Sequence, residues 1–225
     1  GRFSEDSDYE LLQASTRLRI NESRDMPGWS AIFGLDHLMW GANTIFSSAT
    51  LRASYLLKDY GACQLYPRLA MQYQFYHAQE LLSGYEYSLG VGNECEFALG
   101  NSLNRLGFEV SAVSNIAKDD DRLGHDREGW QANAYWQRTF GSGQAVVQYQ
   151  HTKLGDEDAY SPLFKNGAKR EESLHSVYIS YAYPVRSLGE SAQFVSTVAY
   201  HNQTSSIALF RTRGASAEIG FVWGF

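Results

Sequence analysis

Ala215–Phe225 reads A-S-A-E-I-G-F-V-W-G-F. Counting in twos, Ala215, Ala217, Ile219, Phe221, Trp223 and Phe225 fall on one parity, and Ser216, Glu218, Gly220, Val222 and Gly224 on the other. Successive strand residues point to opposite faces, so this stretch predicts a strand with one apolar, aromatic face and one small or polar face.

The same alternation runs upstream. Leu12, Ala14, Thr16, Leu18 and Ile20 oppose Gln13, Ser15, Arg17, Arg19 and Asn21, and from Asn43 the pattern returns with Ile45, Ala49, Leu51, Ala53 and Tyr55 against Thr44, Ser48, Thr50, Arg52 and Ser54. Cys63, Leu65, Leu69, Met71, Tyr73 and Phe75 oppose Gln64, Arg68, Gln72 and Gln74. The facing strand sets Tyr85, Tyr87, Leu89, Val91, Cys95 and Phe97 against Glu86, Ser88, Gly90, Gly92, Glu94 and Glu96. Arg105, Gly107, Glu109 and Ser111 interleave with Leu106, Phe108 and Val110, and further strands follow around residues 130–140, 144–150, 175–185 and 194–200. Gly141-Ser142-Gly143 marks a tight hairpin.

Ten segments follow this rule, and residues 29–42 do not. There Phe33, Leu35 and Met39 occupy one parity while Ile32, Leu38 and Trp40 occupy the other. Placing 29–42 in the first long loop gives ten strands, the favoured count; two short strands there would give twelve. Long loops are expected at 118–128, 155–172 and 202–214, and short turns at 59–62, 100–102, 141–143 and 186–190. Working back from the last strand, all the long loops fall at one end and all the short turns at the other, with both termini at the short-turn end. Residues 1–8 read as a polar lead-in and 9–225 as one β-domain.

The terminal strand and its final aromatic residue resemble the closing strand of Gram-negative outer-membrane β-barrels, in which Ile219, Phe221, Trp223 and Phe225 would form the signal read by the barrel-assembly machinery. The resemblance implies an all-β, antiparallel, transmembrane up-and-down barrel in the bacterial outer membrane, surrounded by lipid and lipopolysaccharide. The polar parity would then line a lumen, as is usual for such barrels. A soluble β-sandwich is the alternative, although its outer faces would carry mostly Lys and Glu rather than Gln, Asn and Gly. Tyr160–Glu172 (Y-S-P-L-F-K-N-G-A-K-R-E-E) and Asn202–Phe210 (N-Q-T-S-S-I-A-L-F), followed by the closing strand, look like the end of the barrels of surface lipoprotein assembly modifiers and of exporters linked to tetratricopeptide repeats. That likeness implies export or translocation, with a periplasmic or surface protein as partner.

Bulk composition agrees with many strands. The 225 residues include 20 Gly and 15 Tyr but only 4 Pro. The net charge of -6, with no basic cluster, argues against nucleic acid. A mean hydropathy of -0.38 and the lack of a long apolar run exclude a membrane helix and leave barrel strands open.

Candidate functional residues lie mainly on the polar parity: Arg17, Arg19, Arg52, Arg68 and Arg105 with Glu86, Glu94, Glu96, Glu109 and Glu218. Two readings stand, a lining that selects solutes by charge and an ion-pair lattice that fills and stiffens the interior. Cys63 and Cys95 share a parity, and a hairpin centred on residue 79 sets them opposite each other, as a cross-strand disulfide requires. A lipid hydrolase using His201 or His175 with a nearby serine is the enzymatic alternative, and a closed barrel presenting its outer loops to a partner is the other. Asp119, Asp120 and Asp121 with Asp126 match no calcium-loop spacing. No metal site and no cofactor are expected.

Overall fold

In a computed structural model, residues 11–21, 28–40, 43–161, 167–185, 187 and 192–223 are described. They form one antiparallel sheet in which each long strand pairs with its neighbours in sequence. The strands are β1 (Leu11–Asn21), β2 (Trp29–Trp40), β3 (Asn43–Tyr55), the three-residue β4 (Lys58–Tyr60), β5 (Cys63–Tyr76) and β6 (Gly84–Leu99). They continue as β7 (Ser102–Ala117), β8 (Arg127–Phe140), β9 (Gly143–Asp156), β10 (Glu171–Pro184), β11 (Ala192–Ser205) and β12 (Thr212–Trp223). β4 lies off the main path and pairs with β5.

All ten segments read as alternating strands are strands of this sheet. Residues 29–42, which the count of ten placed in a loop, supply the further long strand β2, one strand of 12 residues rather than two short ones. Its outward parity is regular, with Trp29, Phe33 and Leu35 exposed. The other parity carries Ile32, set between Arg19 and Arg52, and Leu38, set between Gln13 and Phe46, and these apolar residues on the mainly polar face hide the period of two.

Strand polarity follows. With eleven long strands in one meander, β1 and β12 run in the same direction, so the start of β1 and the end of β12 lie at opposite ends of the sheet. This corrects the expectation of both termini at one end. Among the described residues each of these edges has one paired neighbour and the sheet is open, so a direct β1–β12 ladder would be parallel. The longest connections, 118–126 and 157–170, share one end with the 206–211 connection. The last is shorter than expected because β11 and β12 extend into it. The two-residue turns 100–101 and 141–142 lie at the other end, where Gly100 (φ 61°) and Gly141 (φ 57°) take the left-handed conformation that such turns need.

Among the described residues, the only buried apolar side chains are Val113, Ala192 and Ile207. Large apolar side chains instead stand exposed along one parity of the strands, with Leu89 at 65%, Leu69 at 55% and Ile219 at 76% exposure. Among the described residues no second layer covers this face. Its residues are ordered by position. Trp29, Tyr55, Phe97, Phe140, Tyr183 and Phe221 sit near the short-turn end and Tyr73, Phe75, Tyr85 and Trp130 toward the long-loop end. Between them lie mostly aliphatic positions such as Leu51, Leu69, Val91, Val110, Ile179 and Val198. The aromatic clusters are built across strands, as in Tyr73–Tyr85 (ring centroids 4.9 Å), Phe140–Tyr181 (5.8 Å) and Phe194–Phe221 (5.8 Å).

Candidate functional site: charged cavities on the polar face

The opposite parity encloses a cavity of about 370 Å³ lined by Thr50, Arg52, Gln72, Glu86, Gln131 and Gln150, among others. Side chains from β3 to β9 share it, so the sheet curls with its polar face inward.

The curl is tight enough for side chains to reach past an intervening strand. Arg68 of β5 is paired with Glu109 of β7 across β6. Tyr135 of β8 donates its hydroxyl to Glu94 of β6 across β7. Arg105 completes the group, with Nε 3.2 Å from Glu94 Oε1 and Nη2 3.0 Å from Glu96 Oε2. Charges brought into a narrow space are stable when paired, and here opposite signs meet on adjacent or next-but-one strands.

Two tyrosines on this wall lie across glycines. Tyr66 is paired in register with Gly92, and Tyr135 with Gly107. Each ring lies over its glycine, and an added Cβ would come within 2.4 Å of a Tyr66 ring carbon at Gly92 and within 2.1 Å of a Tyr135 ring carbon at Gly107. The aromatic covers a glycine that contributes no side chain of its own, a cross-strand arrangement that also flattens the tyrosine against the wall. Gly107→Val is therefore expected to cost about 2 kcal/mol by overpacking and to free Glu94 from Tyr135. In a Tyr135→Ala background the same substitution should cost little; a urea titration showing equal costs in both backgrounds would refute the ring-over-glycine account.

A second cavity, about 650 Å³, follows toward the long-loop end and is lined by Tyr76, Leu82, Arg122, Leu123, Arg127 and Arg170, among others. Asp156, whose side chain is fully buried, lies 3.2 Å from Arg127 Nε and 2.9 Å from Arg170 Nη2. Arg127 also pairs with Glu172, which accepts from Gln203 Nε2 at 3.1 Å. The Arg170 guanidinium sits 4.8 Å from the ring centres of both Tyr160 and Phe210, tying the 157–170 and 206–211 connections to the mouth. Arg122 anchors the 118–126 connection through bonds to the His125 carbonyl (2.8 Å), Asn115 Oδ1 (2.7 Å) and the Asn115 carbonyl (3.0 Å). Its burial, followed by its proximity to Arg127, lowers its pKa from the ordinary arginine value.

Of the charged residues singled out from sequence, Arg52, Arg68, Glu86 and Glu109 line the first cavity, and Arg105, Glu94 and Glu96 form one group. Glu218 is not among them: it is exposed on the edge strand β12, opposite Thr197. Arg17 and Arg19 belong to β1, but their side chains lie outside the described residues, as do the Trp223 side chain and Phe225. Ile219 and Phe221 are exposed on the apolar parity. Cys63 and Cys95 are paired in register and joined by a disulfide with an S–S distance of 2.10 Å. The mouth cluster of Arg122, Arg127, Asp156, Arg170 and Glu172 was not singled out. All five residues fall within 118–128 and 155–172, stretches read as long loops, where alternation gives no orientation.

The serines near His201 are occupied elsewhere. Ser205 Oγ accepts from the Ile207 amide at 3.2 Å, and Ser206 Oγ accepts from the Glu171 amide and donates to the Lys169 carbonyl, both at 2.9 Å. The His201 ring packs on Gly214. His175 Nδ1 contacts Tyr149 Oη at 2.7 Å and His151 Nδ1 at 3.1 Å on the apolar parity. In the acidic loop, Asp119 Oδ1 caps the Asp121 amide at 2.9 Å and Asp126 Oδ1 accepts from the Ala117 amide at 2.8 Å. Among the described residues no group of three or more His, Cys, Asp or Glu is placed to hold a metal ion.

A different group of polar residues stands on the outward face, where sequence parity predicts apolar ones. Ser47 of β3 is paired in register with His37 of β2, and its Oγ lies 2.9 Å from His37 Nδ1 and 2.9 Å from His77 Nε2. Thr44 Oγ1 lies 3.2 Å from His37 Nε2. Compared with protein-family models and with curated proteins, the chain matches none of either.

Proposed function

We propose that this protein is an integral outer-membrane β-barrel whose charged interior is a passage for polar solutes or exported material. The observation that carries the reading is the uncovered apolar face. A soluble protein of this size buries such a surface, and an exposed patch this large marks a partner or a membrane. Its aliphatic middle flanked by aromatic residues near both strand ends is the arrangement suited to a hydrocarbon band between two polar interfaces. Strands suit that medium only when their backbone groups are paired, so closure brings the edges β1 and β12 into one ring around the cavities.

The passage reading draws on the two cavities, which follow one another along β5 from Gln72 to Gln74 and Tyr76. The wall of the first is mainly amides, hydroxyls and charges of both signs, which replace hydration water for a polar solute, and the second adds Leu81, Leu82 and Leu123 beside Arg122, Arg127 and Arg170. The ion pairs narrow the path and set its field. An exporter's membrane part would use the same interior, with the long-loop end facing outward.

The test is conductance of the purified protein in planar bilayers, alongside flotation with liposomes. Expected are discrete steps in wild type, with Arg68→Glu moving selectivity toward cations and Glu86→Lys toward anions, each by a few-fold in permeability ratio. A protein that floats with liposomes but gives no steps would leave the interior as a stiffening lattice and overturn passage.

A further inference from the structure

We infer that Ser47, His37 and His77 form a nucleophilic site on the outward face that cleaves carboxylic esters of acyl lipids. Three adjacent strands build it. His37 (β2) and Ser47 (β3) are directly paired, while Ser47 is paired with Phe75 and His77 follows two residues beyond on the β5 side.

The hydrogen-bond chain has the order that nucleophile activation needs, with nucleophile, base and a group that orients the base. With the proton on Nε2, His37 donates to Thr44 Oγ1 at 3.2 Å and presents Nδ1 as acceptor to the Ser47 hydroxyl at 2.9 Å. His77 Nε2, 2.9 Å from Ser47 Oγ, is the donor on the other side. A β-bulge makes this possible. The β2–β3 register shifts between Leu38 and Met39, so that Leu38 pairs with Phe46 but Met39 with Thr44. The residue skipped is Ile45, and Thr44 thereby moves from the inward parity to the face that carries His37. Bulges re-aim side chains in this way.

Beside Ser47 lies a shallow groove of about 340 Å³ lined by Leu35, Ala49, Tyr73 and Phe75, with His77 at its rim. The groove is apolar and the site polar, so the fitting substrate has an acyl chain ending in an ester. Ser47 and Phe75 stand near the long-loop ends of their strands. The assignment to lipid, rather than to any ester, rests on the membrane position proposed above, in which this level meets the headgroup boundary.

The chemistry balances without a cofactor. Ser47 Oγ bonds to the ester carbonyl carbon as its proton passes to His37 Nδ1, and His77 Nε2–H is the donor nearest the oxygen on which negative charge gathers. Collapse breaks the acyl carbon–oxygen bond, and His37 returns the proton to the departing alcohol. Water then attacks the acyl-serine with the same proton relay, releasing the carboxylic acid and restoring Ser47.

The experiment uses the refolded protein in mixed micelles of nonionic detergent and diacyl phosphatidylcholine, with fatty acid release as readout. A long-chain alkylsulfonyl fluoride serves as covalent probe, and its position is read by mass spectrometry. Expected are release by wild type, a loss of at least about 100-fold in Ser47→Ala and in His37→Gln, and labelling at Ser47. Thr44→Val, which alters a positioning residue, should lower kcat with KM unchanged and be rescued by Thr44→Ser. Absence of both release and labelling in protein that floats with liposomes would overturn the site, as would release that survives Ser47→Ala. If the protein does not float, the membrane reading fails, and hydrolysis of a short water-soluble ester then decides the site: Ser47-dependent turnover sustains it and no turnover overturns it.

Discussion

Replacing Cys63 and Cys95 together by alanine is expected to lower the unfolding free energy by about 3–4 kcal/mol. The two residues are 32 apart in sequence, so their bond closes a loop of intermediate length and removes a corresponding amount of entropy from the unfolded chain. In the native sheet it joins partners that the β5–β6 ladder already holds opposite each other, from Cys63–Cys95 to Gln74–Gly84. The stabilisation thus arises mainly in the unfolded ensemble, and the folded cavities should be unchanged. Urea titration of the refolded protein by tryptophan fluorescence measures the loss, and reductant applied to wild type should reproduce it. A midpoint unmoved by both treatments would mean that the bond contributes nothing to stability.

The second large effect is expected at the mouth, where Arg127→Met should cost about 3 kcal/mol, within the range for breaking a buried ion pair from one side. Arg127 meets both Asp156 and Glu172, and the side-chain exposures are 17% for the arginine, 0% for Asp156 and 13% for Glu172. Removing the guanidinium leaves Arg170 to compensate Asp156 and leaves Glu172 with the Gln203 amide alone among its named partners. An uncompensated carboxylate away from water carries its desolvation cost in full. Adding Glu172→Gln should therefore recover part of the loss, giving a coupling above about 1 kcal/mol in a double-mutant cycle. Additive costs would show that water, rather than the arginine, satisfies Glu172.

The assignment of faces was legible because it needs only local information. A strand turns each successive side chain to the opposite side, so a period of two in the sequence is already a map of two surfaces. The same arithmetic set Cys63 against Cys95, because hairpin partners share a constant sum of residue numbers once one pair is known. The signal failed where one surface broke its own rule. Ile32 and Leu38 stand on the parity that is mainly polar in the neighbouring strands, and β2 lost its alternation although its backbone is an ordinary strand.

Strand count, edge polarity and the meetings of side chains across strands belong to the tertiary structure. One additional strand reverses the direction of everything before it, and so β1 begins at the opposite end from where β12 finishes. Curvature decides that Arg68 finds Glu109 and Tyr135 finds Glu94 beyond an intervening strand, since a flatter sheet would hold those pairs apart. The skipped residue at Ile45 puts Thr44 beside His37, against the parity that the sequence alone assigns. By itself, then, the sequence determined which side chains share a face wherever a strand runs without a bulge, because that follows from the geometry of one strand. Which of them touch was decided only by register, bulge and curl, which depend on how strands meet.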